Sequence, residues 1–159
     1  MRLRYCKADS QDSWELALQG CNALMSLSHL NNDNVVRIGK CGGCETLVVV
    51  IKKFMNENID IVQQGTIALQ NLASNTDSQN ITKIVSAGGC QVLTTILERH
   101  KFIDEIMVVA LSAVSYIAES NTNSHSLFGE TCCAAVLAAA EKHCDDDEVV
   151  LIFFSCFKL

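Results

Sequence analysis

The sequence predicts an all-α protein built as a solenoid, in which short helical repeats stack side by side. Proline is absent from all 159 residues, so long uninterrupted helices are permitted everywhere. Apolar residues make up 49% of the chain and charged residues only 19%, which is enough apolar surface to bury a core in one domain. The chain also repeats itself with a period of about 43 to 46 residues, in the range of solenoids with two or three helices per repeat.

Two blocks of sequence carry the repeat. The first is NVVRIGKCGGCETLV from Asn34, which returns as NITKIVSAGGCQVLT from Asn80 and as NSHSLFGETCCAAVL from Asn123. In each copy the asparagine stands ten residues before a cysteine: Cys44, Cys90 and Cys133. The second block is QGCNALMSLS from Gln19, followed by QGTIALQNLA from Gln64 and VALSAVSYIA from Val109. One unit cannot bury its apolar face alone, so neighbouring units are expected to stack into one extended core.

Each unit is predicted to contain three helices. In the most regular unit the first helix covers about residues 78–86, where apolar residues recur at helical spacing. Gly88-Gly89 ends this helix, because glycine lets the chain turn sharply at little steric cost. A second helix over about 90–99 and a third over about 104–120 follow. The third helix contains the small residues Ala110 and Ala113, which allow close contact between helices.

This alternation of helices resembles the armadillo repeat. The ending ALQNLA, residues 68–73, is the stretch most characteristic of that family, and the likeness extends over almost the whole chain. The resemblance implies a right-handed α-solenoid of stacked three-helix repeats, whose third helices line a concave groove. It also implies binding of extended peptides or partner segments in that groove.

The register describes one armadillo-like segment over residues 1–159. Residues 14–29 are predicted to be the last helix of a preceding repeat, 31–75 and 77–120 two full repeats, and 122–159 an incomplete repeat. The final stretch, VVLIFFSCFKL from Val149, is apolar on nearly every side, as an interior helix would be. We therefore expect this segment to belong to a longer array, or its C-terminal helix to be covered by further repeats or a partner.

Charge and composition argue against several kinds of partner. The net charge of -6 does not fit the basic patch of a nucleic-acid-binding protein, so no nucleic acid is expected. The apolar run at the end is well short of the roughly 20 residues that a membrane helix needs, so no membrane is expected. Nine cysteines are an odd number, and no apolar leader stands at the start. This pattern favours a reducing intracellular setting, the cytoplasm or the nucleus.

The stretch Cys41-Gly-Gly-Cys44 has the spacing of a redox dithiol or of half a zinc site. The repeat favours packing instead, since Cys44 recurs as Cys90 and Cys133 at the start of the second helix, where cysteine serves as a small buried hydrophobe. Cys41 has no cysteine at the equivalent positions of the other units. A redox or zinc-binding role for Cys41 and Cys44 stays open as the alternative.

Other potential ligands and catalytic groups are explained by helix ends. The nearest second cluster consists of Cys132, Cys133, His143 and Cys144. If these residues flank one helix, the pair at its start and the pair at its end lie about 16 Å apart. That distance is too large for the two pairs to share a metal ion. His100 and His143 each close a second helix, and the acids at 145–148 precede a helix start, positions that the helix dipole favours. The sequence therefore predicts no catalytic residue, no metal and no cofactor.

The resemblance places the binding function on the third helices. By register, the position of the family's peptide-binding asparagine is occupied by Ser26, Asn71 and Tyr116, so only the second copy matches. Four residues earlier, where nuclear-import armadillo proteins often have tryptophan, the chain has Asn22, Ile67 and Ser112. This departure argues against recognition of nuclear-localisation signals.

One turn on either side completes the predicted surface, which we call the third-helix groove. Its residues are Leu18, Asn22, Ser26 and His29, then Gln63, Ile67, Asn71 and Ser74, then Val108, Ser112, Tyr116 and Glu119. Most are uncharged, with amides and hydroxyls that can bond a peptide backbone. Tyr116 is the expected aromatic anchor.

The favoured function is therefore a non-enzymatic interaction scaffold or adaptor that binds a protein or peptide partner. Two alternatives remain at this stage. One is a thiol-based redox or zinc protein that uses Cys41 and Cys44. The other is a regulatory or spacer segment of a larger multidomain enzyme.

Overall fold

A computed structural model describes residues 10–74, 78–120, 124–142 and 151 of the chain. Within these residues the structure is helical and contains no strand. The helices are α1 (Ser10–Ser28), α2 (Asn32–Lys40), α3 (Gly43–Phe54), α4 (Ile59–Ala73), α5 (Ser78–Ser86), α6 (Gly89–Arg99), α7 (Asp104–Ser120) and α8 (Ser124–Lys142). In the described ranges, no helix combines the length and the hydropathy needed to cross a membrane.

The helices stack as the repeat predicts. The predicted first and third helices of the most regular unit coincide with α5 and α7, and the second helix, α6, begins one residue earlier than expected. Helix α4 packs between α1 and α7, so the three third helices lie side by side. The second helices α3 and α6 pack against α4 and α7 respectively. Both members of each pair carry buried apolar residues, among them Ile51 and Ile61 in the first pair and Ile96 and Leu111 in the second.

Two successive glycines form the turn between the first and second helices. Gly42 and Gly88 have φ of 85° and 86°, a left-handed conformation that glycine adopts without steric cost. The second glycine of each pair is needed for close approach: a Cβ on Gly43 would lie 2.3 Å from Cγ2 of Ile38. A Cβ on Gly89 would lie 2.4 Å from Cγ2 of Ile84. The pair therefore turns the chain and seats the second helix directly on the first.

The third copy of the repeat departs from the prediction at this turn. Residues 124–142 form one continuous helix, α8, where a first helix, a turn and a second helix were expected. The positions of the two glycines are occupied by Thr131 and Cys132, and a β-branched threonine disfavours the left-handed conformation. The buried cysteine of this unit is accordingly Cys132, at 1% exposure, whereas Cys133, which the register equated with Cys44 and Cys90, is exposed. The prediction of a buried Cys133 was wrong.

Asn34 and Asn80, which open the first two copies of the first block, tie neighbouring helices together. Nδ2 of Asn34 donates to the carbonyl oxygen of Leu27 at 2.9 Å, near the end of α1. Nδ2 of Asn80 donates to the equivalent carbonyl of Leu72, at 3.3 Å, and also to the carbonyl of Val35 in the preceding unit, at 3.2 Å. The bonds to Leu27 and Leu72 satisfy carbonyl groups at the ends of α1 and α4, which lack an intrahelical partner.

Several predicted features lie outside the described residues. They are the C-terminal helix from Val149, the acids at 145–148, His143, Cys144, and Asn123 of the third block. The unit boundaries of the predicted array stay a prediction.

Candidate functional site

The residues of the predicted third-helix groove lie on α1, α4 and α7, which are neighbours in the stack, or, for His29 and Ser74, directly after α1 and α4. None of them is buried. The exposed members are Ser26, His29, Ser74, Tyr116 and Glu119, and the half-buried members are Leu18, Asn22, Gln63, Ile67, Asn71, Val108 and Ser112. The three helices thus present one accessible row each, at equivalent positions. Binding by this surface stays a prediction.

Asn71, the one residue that matches the family's asparagine, links α4 to α1. Its Nδ2 donates to Oγ of Ser28 at 3.2 Å and to the carbonyl oxygen of Met25 at 3.4 Å. Ser74, one turn on, donates from Oγ to the carbonyl of Asn71 at 2.9 Å. The amide donors of Asn71 therefore hold its side chain against the neighbouring helix. The acceptor Oδ1 is the atom suited to a backbone N–H of an extended ligand.

Tyr116 provides a large aromatic surface on α7, at the position equivalent to Asn71 of α4. Its side chain is 38% exposed on α7, whereas the next residue, Ile117, is fully buried. An aromatic ring that is partly packed and partly exposed loses little side-chain entropy when a partner covers it. The role of Tyr116 as an aromatic anchor stays a prediction.

An acidic row extends the groove beyond the predicted residues. Glu15, Asp60 and Glu105 stand three residues before Leu18, Gln63 and Val108, and all three are exposed. Nε2 of Gln63 donates to Oε2 of Glu105 at 3.4 Å, so the carboxylate of α7 reaches toward the groove row of α4.

Sequence reasoning missed this row because acids in the first turn of a helix are ordinarily explained by the helix dipole. That explanation suits Asp60 and Glu105, which lie in the first turns of α4 and α7. It does not suit Glu15, since α1 begins at Ser10 and places this acid in its second turn. The constant spacing of 45 residues among the three acids was the signal available in the sequence.

The two cysteines of the CGGC stretch differ in environment. Cys44 is fully buried, and burial raises the pKa of its thiol to about 11, with the nearby Glu45 acting in the same direction. Burial likewise raises the pKa of Cys21 and of Cys90 to about 11. A reactive dithiol needs an accessible thiol of low pKa, so Cys44 fits the packing role expected from the repeat. Cys41 is exposed at the end of α2.

The described residues bring together no group of three or more His, Cys, Asp or Glu side chains that could hold a metal ion. His100 is the C-terminal capping residue of α6. Burial, together with the positive charge of Arg99, lowers the pKa of its imidazole, so the neutral form is favoured at neutral pH. A neutral His100 therefore adds little favourable electrostatic interaction with the dipole of α6.

No family model matches the chain, and no curated protein sequence matches it significantly. Among solved structures, the chain is similar to a designed armadillo repeat protein in complex with the peptide (KR)4, with a TM-score of 0.69 at 21% sequence identity. The chain has an armadillo-like repeat fold. The match covers 94% of this chain and 59% of the designed protein, so the chain spans about three fifths of the length of that neighbour.

Within the armadillo-like fold, helices α1 to α7 each have a defined place. Helices α2 and α5 are first helices, α3 and α6 are second helices, and α1, α4 and α7 are third helices. The third-helix groove and the acidic row both lie on the third helices. The Gly-Gly turn lies at the junction of first and second helices.

Proposed function

We propose that the chain is a non-enzymatic scaffold that binds an extended segment of a protein partner along the third-helix groove, in the cytoplasm or the nucleus. The observation that carries this proposal is that the groove residues of three neighbouring third helices are accessible at equivalent positions of successive repeats, and that most of them are polar. An extended peptide spans about 3.3 to 3.6 Å per residue. It can therefore meet one helix after another along the stack.

The solved neighbour supports this function. Its structure contains a designed armadillo repeat protein together with the peptide (KR)4. In the present chain, Oδ1 of Asn71 and the hydroxyls of Ser26 and Ser112 are groups that can hydrogen-bond a peptide backbone, and Tyr116 offers apolar contact.

The acidic row indicates the charge of the proposed ligand. Three carboxylates line one side of the groove, and the chain as a whole carries a net charge of -6. Charge complementarity favours a segment with lysine or arginine side chains over an acidic one, through both the encounter rate and the choice of partner. We therefore propose a basic extended segment as the ligand.

Charge reversal tests this proposal with the alternating Lys-Arg octapeptide as the probe. The double variant Asp60→Lys, Glu105→Lys is expected to weaken binding about tenfold in low salt, since each exposed charge contact contributes about 0.2 to 1 kcal/mol and like charges repel. The measurement is fluorescence anisotropy of the labelled peptide at two salt concentrations. The salt dependence of the affinity should decrease in the variant, because fewer charges are then screened.

The matched control changes the net charge by the same amount away from the groove. Glu98 and Glu141 are exposed acids on α6 and α8, outside the third helices, and the double variant Glu98→Lys, Glu141→Lys should leave the affinity within about twofold to threefold of wild type. Equal losses in both variants would mean that overall charge alone attracts the peptide, and the proposed basic specificity of the groove would be wrong.

A further inference from the structure

A cavity of about 250 Å³ lies between the second helices α3 and α6. Its lining includes Lys52 and Asn56 from the end of α3 and the chain after it, Gly88 from the α5–α6 turn, and Gln91, Thr95 and Arg99 along one face of α6. We call it the second-helix cavity. No lining residue belongs to α1, α4 or α7, so this surface is different from the third-helix groove.

Two cations line the second-helix cavity, and no carboxylate does. Lys52 lies in the last turn of α3, and Arg99 lies in the last turn of α6. The acids nearest to the lining in the chain, Glu57 and Glu98, do not line the cavity, and Glu98 instead lines the cleft between α6 and α8. The two positive charges are therefore not offset by an acidic side chain inside the cavity.

Hydrogen-bond donors accompany the two cations. Nη1 of Arg99 donates to Oδ1 of Asn56, which holds the guanidinium against the connection that follows α3. This bond leaves the other N–H groups of Arg99 and the Nδ2 group of Asn56 as donors for a ligand. Gln91 is exposed and adds a second side-chain amide. The cavity thus presents N–H donors next to positive charge, the combination that recognises an oxyanion.

The charge of this cavity is a property of one interface and not of the stack in general. The helix dipole explains a basic residue in the last turn of α3 or of α6, but not a lining without an acid. The cleft between α6 and α8 is lined by four alanines, Leu97, Glu98 and Lys101, so its one acid balances its one base. The positive lining between α3 and α6 therefore needs an explanation of its own.

The helices of the stack also differ in the sign of their charge. The third helices α1, α4 and α7 contain acids but no lysine or arginine. Every lysine and arginine of the described residues lies on α2, α3, α5, α6 or α8, or in the connection after α6. An anionic group is therefore attracted to the second-helix cavity and repelled by the acidic row of the groove.

We propose that the second-helix cavity binds the phosphoryl group of a phosphorylated serine or threonine in a protein partner. Lys52 and Arg99 pair with its charge, and the amides of Asn56 and Gln91 donate to its oxygens. A phosphoryl group carries a charge of about -1.5 to -2 at neutral pH and three acceptor oxygens, which matches two cations on separate helices better than one carboxylate does. Arginine also binds phosphate through two parallel hydrogen bonds.

The net charge of -6 limits the size of the anionic ligand. A long polyanion such as nucleic acid, or an anionic membrane, is repelled by the chain as a whole. A single phosphoryl group meets only the local positive charge of the cavity. This proposal does not rest on peptide binding at the third-helix groove, and the two sites can be occupied together.

The test is a titration of the ¹⁵N-labelled full chain, followed by NMR. The probe is a capped peptide of glycine and alanine with one central phosphoserine. The comparison ligands are the same peptide with serine, the same peptide with glutamate, and inorganic phosphate. The backbone amide signals of Asn56, Gly88 and Gln91 should shift with the phosphopeptide. It should bind at least about tenfold more tightly than the glutamate peptide, because the second charge is lost there, and at least as tightly as inorganic phosphate.

Charge removal at the cavity identifies the residues that bind. The double variant Lys52→Gln, Arg99→Gln should weaken binding of the phosphopeptide about tenfold or more, because both charge-assisted contacts are lost. Both side chains are exposed, so circular dichroism should show unchanged helicity. The matched control Lys53→Gln, Lys101→Gln removes the same charge next to the ends of the same two helices, but outside the lining. It should bind within about twofold of wild type, and Lys52→Arg, which keeps the charge, should bind within about threefold.

Three results would overturn this proposal. Equal losses in the two double variants would mean that overall charge alone attracts the phosphopeptide. A glutamate peptide that binds within about threefold of the phosphopeptide would mean that the cavity is a carboxylate site. Inorganic phosphate that binds more than about threefold more tightly than the phosphopeptide would mean that the cavity does not admit a phosphorylated side chain. Loss of affinity at Lys52 and Arg99 alone, with selectivity for phosphoserine over glutamate, supports the proposal.

Discussion

Replacing Gly39 by alanine is expected to destabilise the fold by about 2–4 kcal/mol, a large share of the total stability of a domain this size. The reason is the close approach of α5 to α2. A Cβ on Gly39 would lie 1.7 Å from Oδ1 of Asn80, and the Asn80 side chain is 2% exposed, so it has little room to move. The buried amide must give up its hydrogen bonds, or α5 must shift.

Gly20→Ala is the matched control for Gly39→Ala. Both glycines lie inside helices, and alanine is intrinsically the better helix former by about 1 kcal/mol. At Gly20 the described residues leave the new methyl group free space, so this substitution should be stabilising. Urea unfolding at a fixed pH measures both variants. If Gly39→Ala were as stabilising as Gly20→Ala, the contact between α2 and α5 would not exist in solution as described.

The second large effect is expected at Asn80 itself. Asn80→Ala removes the two hydrogen bonds to the carbonyls of Val35 and Leu72. Because the site is buried, both acceptors lose a partner that water cannot easily replace, and the expected loss is about 2–3 kcal/mol. The measurement is again the free energy of unfolding in urea.

Asn34→Ala is the equivalent change at an exposed site. Its bond to the carbonyl of Leu27 is open to solvent, so the loss should be only about 0.5–1 kcal/mol. A double variant adds a further check: once Asn80 is alanine, Gly39→Ala should cost little more, because the clashing amide is gone. Equal losses at Asn34 and Asn80 would contradict the assignment of Asn80 as the buried link between units.

The sequence predicts most of the helical stack because periodicity reports burial directly. Helices α5 and α7 begin and end where the apolar pattern predicts. Along each of these helices, the apolar residues recur every three or four positions, which is the spacing of the buried face of a helix. The identity of the buried cysteines Cys44 and Cys90 follows from the same pattern.

The prediction of helix ends fails at α8, where one residue position determines whether the backbone can turn. The third copy of the first block contains the cysteine of the repeat but not its two glycines. Thr131 cannot take the place of Gly88 in a left-handed turn without strain. Helix α8 therefore runs on, and Cys132 replaces Cys133 in the buried position. The cysteine recurs in all three copies, but the turn depends on the glycine pair, which the third copy lacks.

The binding surface is less predictable than the fold. Exposure of the groove residues follows from helical periodicity, but the bonds from Asn71 to α1 depend on how adjacent repeats are spaced. The acidic row could be read from the 45-residue spacing, yet an acid near a helix start has a sufficient local explanation. Only the position of Glu15, a full turn inside α1, distinguishes the two explanations.

The most direct test of the proposed groove is the affinity of the alternating Lys-Arg octapeptide for the double variant Asn71→Ala, Tyr116→Ala. Loss of the amide acceptor and the aromatic anchor should weaken binding about tenfold or more, while helicity is retained and stability falls by about 1 kcal/mol through the lost bonds to α1. The matched control is Val49→Ala, Gln91→Ala, which removes an exposed apolar side chain from α3 and an exposed amide from α6, both on second helices. The control should bind like wild type. Unchanged affinity in the groove variant would show that the third-helix groove is not the binding site.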